Sequence, residues 1–296
     1  MKQDKEEMNV FCGRIPSVFG GYGFLFFNHK TDQKTMKTTI TTEQLRTALA
    51  AVREQSPLVH NITNYVAMNN SANALLAIGA SPVMAHWKDE MEEMVSIAGA
   101  LVINIGTLDG EWIEAMEIAG VAAHKRGVPI VLDPVGAGAT SGRTATALRL
   151  VELCHPTVIR GNGSEIMALV DASVRSKGVD SSAQSHDAIE AAKSLALSSG
   201  ATVVVSGPTD YITNGKELYT VEGGDAIMTS VTAMGCTASA IVGAFVAVES
   251  DPMVAATAAM ATMSLAGERA AAQSKGSGSM QVAFLDEMYN LTPDKL

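Results

Sequence analysis

From residue 58 onward the chain alternates short, β-branched apolar runs with stretches of helical periodicity, and few folds accept that pattern. Leu101-Val102-Ile103-Asn104-Ile105, Pro129-Ile130-Val131-Leu132-Asp133, Thr157-Val158-Ile159-Arg160 and Thr202-Val203-Val204-Val205-Ser206 read as strands bounded by Gly, Pro or polar residues. Their apolar residues run continuously, so both faces of each strand must be covered. Helical patterns fill the gaps at 109–126 (Ile113, Met116, Ala119 and Ala123 on one face), 144–153 and 185–199 (Ile189, Ala192 and Leu195). The expected fold is α/β, with a mostly parallel central sheet and helices on both faces. Asn214-Gly215, between Asp210-Tyr211-Ile212-Thr213 and the run from Lys216 to Val221, marks a hairpin. The last part of the chain, 237–291, reads as helical, and its Ala-rich faces at 253–272 suit close helix packing.

Composition breaks once. Five of the seven phenylalanines (Phe11, Phe19, Phe24, Phe26 and Phe27) precede residue 28. After Met36, Thr41-x-x-Gln44 makes a capping box for a helix with Leu45, Leu49 and Val52 on one face. The fold is therefore expected to begin near Met36 as a single domain over 36–296, with 1–35 an upstream extension of little fixed structure. Neither an internal repeat nor a linker interrupts it.

A length of 296 residues with 47% hydrophobic residues is enough to bury a sizeable core. The net charge of −10 argues against nucleic acid or an anionic membrane as partner. Cys12, Cys154 and Cys236 are too few and too far apart for a disulfide framework or a zinc site, which fits a reducing cytoplasm. Apolar runs are too short to span a bilayer, so the chain reads as soluble and cytoplasmic.

Ligands in open parallel sheets collect beyond the carboxyl ends of the strands. Those ends carry Asn104 with Gly106-Thr107, Asp133-Pro134-Val135-Gly136-Ala137-Gly138, Arg160-Gly161-Asn162-Gly163-Ser164-Glu165, and Ser206-Gly207. GxGxxG and GxxxxGK[ST] nucleotide loops are both missing. Instead Val231-Thr232-Ala233-Met234-Gly235-Cys236-Thr237 looks like a strand-like approach and a small-residue turn opening into an apolar helix. Such a turn aims backbone N–H groups at one spot, ready for phosphate. Cys236 stands beside it as a nucleophile or proton acceptor, its thiol acidified by the helix start. Glu165 has two readings. It is either the third residue of a helix capped by Asn162, or it joins Asp133 in holding a hydrated Mg²⁺ while Arg160 meets a nucleotide phosphate. His60 reads as a hydrogen-bonded structural residue, Met84 as core filling and Cys154 as inert.

These residues resemble the hydroxyethylthiazole kinase family of the ribokinase-like superfamily. The likeness runs from about Leu45 to Leu291 through Ser56-Pro57-Leu58-Val59-His60-Asn61-Ile62-Thr63-Asn64 and Leu75-Leu76-Ala77-Ile78-Gly79-Ala80-Ser81-Pro82-Val83-Met84. It continues in Asn104-Ile105-Gly106-Thr107-Leu108, the Asp133 and Arg160 loops, and Gly235-Cys236. It implies ATP- and Mg²⁺-dependent phosphorylation of 4-methyl-5-(2-hydroxyethyl)thiazole on its primary hydroxyl, and a homotrimer with active sites between subunits. It also implies that Met84, Asn64, Gly106 and Ala233 line the thiazole pocket and that Arg160 and Ser206 contact ATP. Asp133 and Glu165 would organise the metal. Gly235 and Cys236 would form the catalytic turn, Cys236 standing where sugar-kinase relatives carry an aspartate base. Two departures stand out. Ala233-Met234-Gly235-Cys236 replaces the family's Gly-x-Gly-Cys, and Ser206-Gly207-Pro208 replaces Thr-Gly-Glu. Two other functions are weighed: a ribokinase-like kinase for another small alcohol (a hydroxymethylpyrimidine or sugar), and a thiazole-binding trimer of weakened turnover.

Overall fold

The computed structural model describes residues 40–170 and 181–296. The extension expected at 1–35, with Cys12, lies outside them. Ten α-helices are described: α1 (Thr42–Gln55), α2 (Met68–Ile78), α3 (Met91–Ile97), α4 (Gly110–Arg126), α5 (Ser141–Cys154), α6 (Gly163–Val170), α7 (Ser181–Ser199), α8 (Met234–Val246), α9 (Pro252–Gln273) and α10 (Ser277–Asn290). The strands are β1 (Leu58–Ile62), β2 (Ser81–Val83), β3 (Ala100–Asn104), β4 (Ile130–Asp133), β5 (Val158–Asn162), β6 (Thr202–Ser206), β7 (Thr209–Thr213) and β8 (Leu218–Glu222).

All eight join one sheet in the order β2-β1-β3-β4-β5-β6-β7-β8, parallel through β6 and antiparallel in the last two pairs. The parallel part follows from the helical crossovers. The antiparallel part follows from the Asn214-Gly215 turn, where Gly215 takes φ +86° and Asn214 Oδ1 accepts the N–H groups of Lys216 and Glu217.

Alternate strand residues serve two separate apolar layers. Val59, Val102, Val131, Val158 and Val204 pack with α1, α2, α8, α9 and α10. Leu101, Ile103, Ile130, Leu132, Ile159 and Val203 pack with α3, α4, α5, α6 and α7. Each such side chain, fully buried, contributes about 1.5–3 kcal/mol. Helix α8 packs close against the sheet. A Cβ placed on Gly243 would stand 2.5 Å from Val102 Cγ2 and 3.0 Å from Val59 Cγ1, so glycine lets the helix seat on β1 and β3. That seat points its first turn at the carboxyl ends of the strands.

The structure bears out the capping box at Thr41 and the four expected strands, with differences in extent. β5 runs on to Asn162, because Arg160, Gly161 and Asn162 pair with Val204, Val205 and Ser206. Strands β1 and β2 complete the sheet's far edge. Helix α5 starts at Ser141, where Thr140 Oγ1 caps the Arg143 N–H. The approach to Cys236 is not a strand. A 3₁₀ turn over Ala226–Ser230, started by the Asp225 side chain accepting the Ile227 N–H, precedes it, and Val231, Thr232 and Ala233 form a bend and turn.

Candidate active site

A chain of side-chain hydrogen bonds crosses the strand ends. Asn64, just past β1, donates to Asn104 Oδ1 at 2.8 Å and to Cys236 Sγ at 3.3 Å. Asn104, the last residue of β3, donates to Asp133 Oδ2 at 2.8 Å, and Ser239 on α8 donates to the same oxygen at 2.8 Å. Asp133 is 1% exposed, and its Oδ1 has no hydrogen-bond partner. Burial raises its carboxyl to about 6, against the opposing pull of Arg160. A buried acid with one oxygen held and one oxygen free is arranged to receive something on the free side.

Arg160 lies under the α8 turn. Its Nη2 donates to Ser206 Oγ at 2.5 Å and its Nη1 is 4.0 Å from Asp133 Oδ2. A Cβ on Gly235 would stand 2.8 Å from Arg160 Nη1, so the guanidinium presses directly against the turn's backbone. Asp210 on β7 accepts the Gly207 N–H at 3.0 Å and is raised to about 6 by burial. It brings a second buried carboxyl into the field of Arg160.

The geometry of Glu165 shows the capping reading. Its N–H donates to Asn162 Oδ1 at 3.0 Å while its Oε2 accepts the Asn162 N–H at 2.8 Å, which is a reciprocal cap for α6. Its Oε1 accepts the Gly136 N–H at 2.8 Å, so the same carboxylate ties the loop after β4 to the end of β5. Each oxygen keeps a further lone pair. Glu165 is near enough to Asp133 to raise its carboxyl.

Helix α8 opens without a side-chain cap. Among the described residues, the N–H groups of Met234, Gly235 and Cys236 meet no protein acceptor. Ala233 turns the chain at φ +62°, a left-handed conformation that costs a non-glycine residue about 1 kcal/mol. The helix start does not leave the Cys236 thiol acidified. Burial, and then Asp133, push it above its ordinary value, with Asn104, Asn64 and Arg160 pulling the other way.

Asn64, Gly106, Asp133, Arg160, Glu165, Ser206, Ala233, Gly235 and Cys236 thus gather at one edge of the sheet. Met84 stands apart from their hydrogen bonds, half-buried just past β2 against the α8–α9 apolar layer. His60 is fully buried with its Nε2 2.9 Å from Ala85 O, as a structural histidine would be. Cys154 packs against Gly120, its thiol pushed up to about 12 by burial.

Sequence reading overlooked Ser239 and Arg143. Ser239 lies inside an apolar helix run and gave no signal. Arg143 did give one, a cation in the first turn of a helix, where the dipole disfavours it. Its Nη1 donates to Ile105 O at 2.6 Å and Val135 O at 2.9 Å, and its Nη2 to Gly106 O at 2.9 Å.

Comparison with known proteins shows the family. The model of the hydroxyethylthiazole kinase family matches residues 49–294. The chain belongs to the hydroxyethylthiazole kinase family. A hydroxyethylthiazole kinase of Leptospira biflexa is 54% identical over 248 residues, covering 84% of this chain and 93% of that one. The structure of a hydroxyethylthiazole kinase protein from Pyrococcus horikoshii OT3 superposes with a TM-score of 0.80 at 42% identity, covering 86% and 95% of the two chains. A ribokinase-like superfamily protein from Enterococcus faecalis superposes at 0.59 and 15% identity over 90% of this chain and all of that one, a likeness of fold alone. This member of the hydroxyethylthiazole kinase family is therefore a kinase of ribokinase-like fold.

Proposed function

We propose that the chain transfers the γ-phosphoryl group of ATP to the primary hydroxyl of 4-methyl-5-(2-hydroxyethyl)thiazole. One observation carries the reading: the three free N–H groups opening α8 stand beside the half-free, buried carboxyl of Asp133. Phosphoryl transfer needs little covalent help from protein. It needs donors aimed at developing charge and a fixed line of attack. The hydroxyl oxygen bonds to the γ-phosphorus, the bond to the bridging oxygen breaks, ADP leaves and the hydroxyl proton is released.

Asn64, Gly106, Met84 and Ala233 line the alcohol pocket in this reading. Gly235 and Cys236 give their N–H groups to the transferring phosphoryl group. Arg160, fixed by Ser206, sets the positive potential under the turn and meets ATP. Cys236 orients the hydroxyl more than it accepts the proton, since its thiol is shifted away from ionising at neutral pH.

Asp133 and Glu165 suit Mg²⁺. They offer hard oxygen donors, Asp133 Oδ1 lacks a partner, and Mg²⁺ takes one or two carboxylates with phosphates and water. Bound there, Mg²⁺ supplies neutralisation of phosphate charge. Among the described residues no helix is long and apolar enough to cross a membrane.

A homotrimer with active sites between subunits belongs to the same reading. Tyr65, Val66 and Trp87 are exposed by 62%, 60% and 63% beside Asn64 and Met84, a rim apolar enough for a second subunit to cover. Incubating purified protein with Mg-ATP and a panel of thiamine-precursor alcohols tests the activity, and light scattering tests the trimer. Thiazole phosphate should dominate the products; a folded trimer that makes none would overturn the reading.

A further inference from the structure

Arg143 is a half-buried cation with no acidic partner. Among the described residues no carboxylate lies within ion-pair distance, and its side-chain hydrogen bonds go to carbonyls. It also sits at the positive end of α5, so neither Coulomb attraction nor the helix dipole accounts for it. A local rule broken in this way marks a position kept for another reason.

The three carbonyls show what that reason is. Ile105 and Gly106 belong to the loop after β3; Val135 belongs to the loop after β4. The first loop presses on Asn64, for a Cβ on Gly106 would stand 2.5 Å from Asn64 Nδ2. The second delivers the Gly136 N–H to Glu165. The fork of one guanidinium therefore spans two loops, one bordering the alcohol pocket and one bordering the phosphate side. Thr140 holds the base of the fork, and Thr144 holds the loop after β4. Thr140 Oγ1 caps the Arg143 N–H, and Thr144 Oγ1 accepts the Gly138 N–H at 2.8 Å.

We propose that Arg143 is the positioning residue that registers the alcohol-binding loop against the phosphate-side loop, so that hydroxyl and γ-phosphoryl group meet in line. It touches neither reactant. It acts through the Gly106 and Val135 carbonyls, and only a planar fork with several fixed donors reaches both loops at once. The inference rests on the proposed kinase reaction.

The test uses the full-length protein carrying Arg143→Lys and Arg143→Ala. Steady-state turnover is measured beside melting temperature and the separate KM values for thiazole alcohol and Mg-ATP. A loss of register of about 1 Å costs roughly 100-fold in rate. Both variants should therefore lose about 100-fold in kcat, with KM for each substrate within about threefold. Guanidinium ion at a few millimolar should restore turnover of Arg143→Ala, and the same concentration of ammonium should not. A role in stability alone would lower melting temperature and the active fraction together, with no selective rescue. Near-wild-type kcat in Arg143→Lys, or equal rescue by ammonium, would overturn the proposal. If Arg143→Ala does not fold, the lysine variant decides alone. Failure of the wild-type chain to phosphorylate the alcohol would fault the reaction itself; slow variants without rescue would fault only the role of Arg143.

Discussion

Asn64 and Cys236, 172 residues apart in sequence, meet with the amide nitrogen 3.3 Å from the sulfur. The amide donates and the sulfur accepts, so any thiol proton points away from Asn64. The same amide donates to Asn104, which donates to Asp133. Residue 236 thus stands at the outer end of a polar chain whose inner end is the buried acid.

A carboxylate at 236 would accept the Asn64 hydrogen bond and take a hydroxyl proton more readily than a thiol raised by burial. Cys236→Asp should therefore keep or raise kcat at pH 8. Cys236→Ser should lose only about tenfold, because positioning and charge supply most of the catalysis. Complete inactivity of the aspartate variant, with thiazole binding intact, would reduce Cys236 to pocket wall.

Asp133→Asn and Glu165→Gln should each cut kcat by about 100-fold or more while thiazole binding by calorimetry stays nearly unchanged, since charge organisation matters most in the transition state. Glu165→Gln keeps an oxygen for one of the two backbone N–H groups, so its melting temperature should fall only slightly. Wild-type turnover in that variant would leave Glu165 as a cap for α6 and nothing more.

Ala233 holds φ +62° at the N-terminus of α8. Ala233→Gly removes the left-handed penalty and restores the residue the family resemblance expects there. Stability should change little, the relief of about 1 kcal/mol being offset by glycine's greater unfolded entropy. Turnover should hold or improve. A large fall in kcat would show that the Ala233 Cβ itself touches substrate.

Asp210, raised from 3.8 to about 6, makes folding dependent on pH. Its folded-state pKa exceeds the unfolded one, so the stability it contributes is full below about 4 and lost as pH rises through about 6. Asp210→Asn keeps an acceptor for the Gly207 N–H and cannot ionise. The variant should melt above wild type at pH 8, by at most about 3 kcal/mol, with the difference vanishing near pH 4. A lower melting temperature at pH 8 would show that the ionised acid stabilises Arg160 more than burial costs it.

Much of this was legible because local and global signals agree. Continuous Val and Ile runs gave the central strands, Asn214-Gly215 gave the hairpin, and polar residues at strand ends gave the site. Less legible were features that exist only in three dimensions. Ser239 resembles any small residue in an apolar helix until β4 is laid beneath it. The start of β5 showed itself, but its continuation through Gly161 and Asn162 depends on pairing with β6. The approach to Cys236 looked like a strand because Val231 and Thr232 favour one, yet they follow a 3₁₀ turn ending at Ser230 and bend straight into α8 with no strand partner. For Cys236, the expected effect of the helix start gave way to burial and the charge of Asp133, neither visible in the string of residues.

The contact between Asp133 and Ser239 also sets a timetable. Ser239 follows Asp133 by 106 residues, so a ribosome adding about 5–20 residues per second makes the second residue about 5–20 s after the first. Throughout that interval one side of the sheet lacks α8 and α9, and the valines of β3 and β4 stay open to water or to a chaperone. The proposed phosphate cradle is made only after every strand of the sheet. A nascent chain halted before residue 234 would own both candidate metal carboxylates and none of the three N–H groups proposed to hold the phosphoryl group.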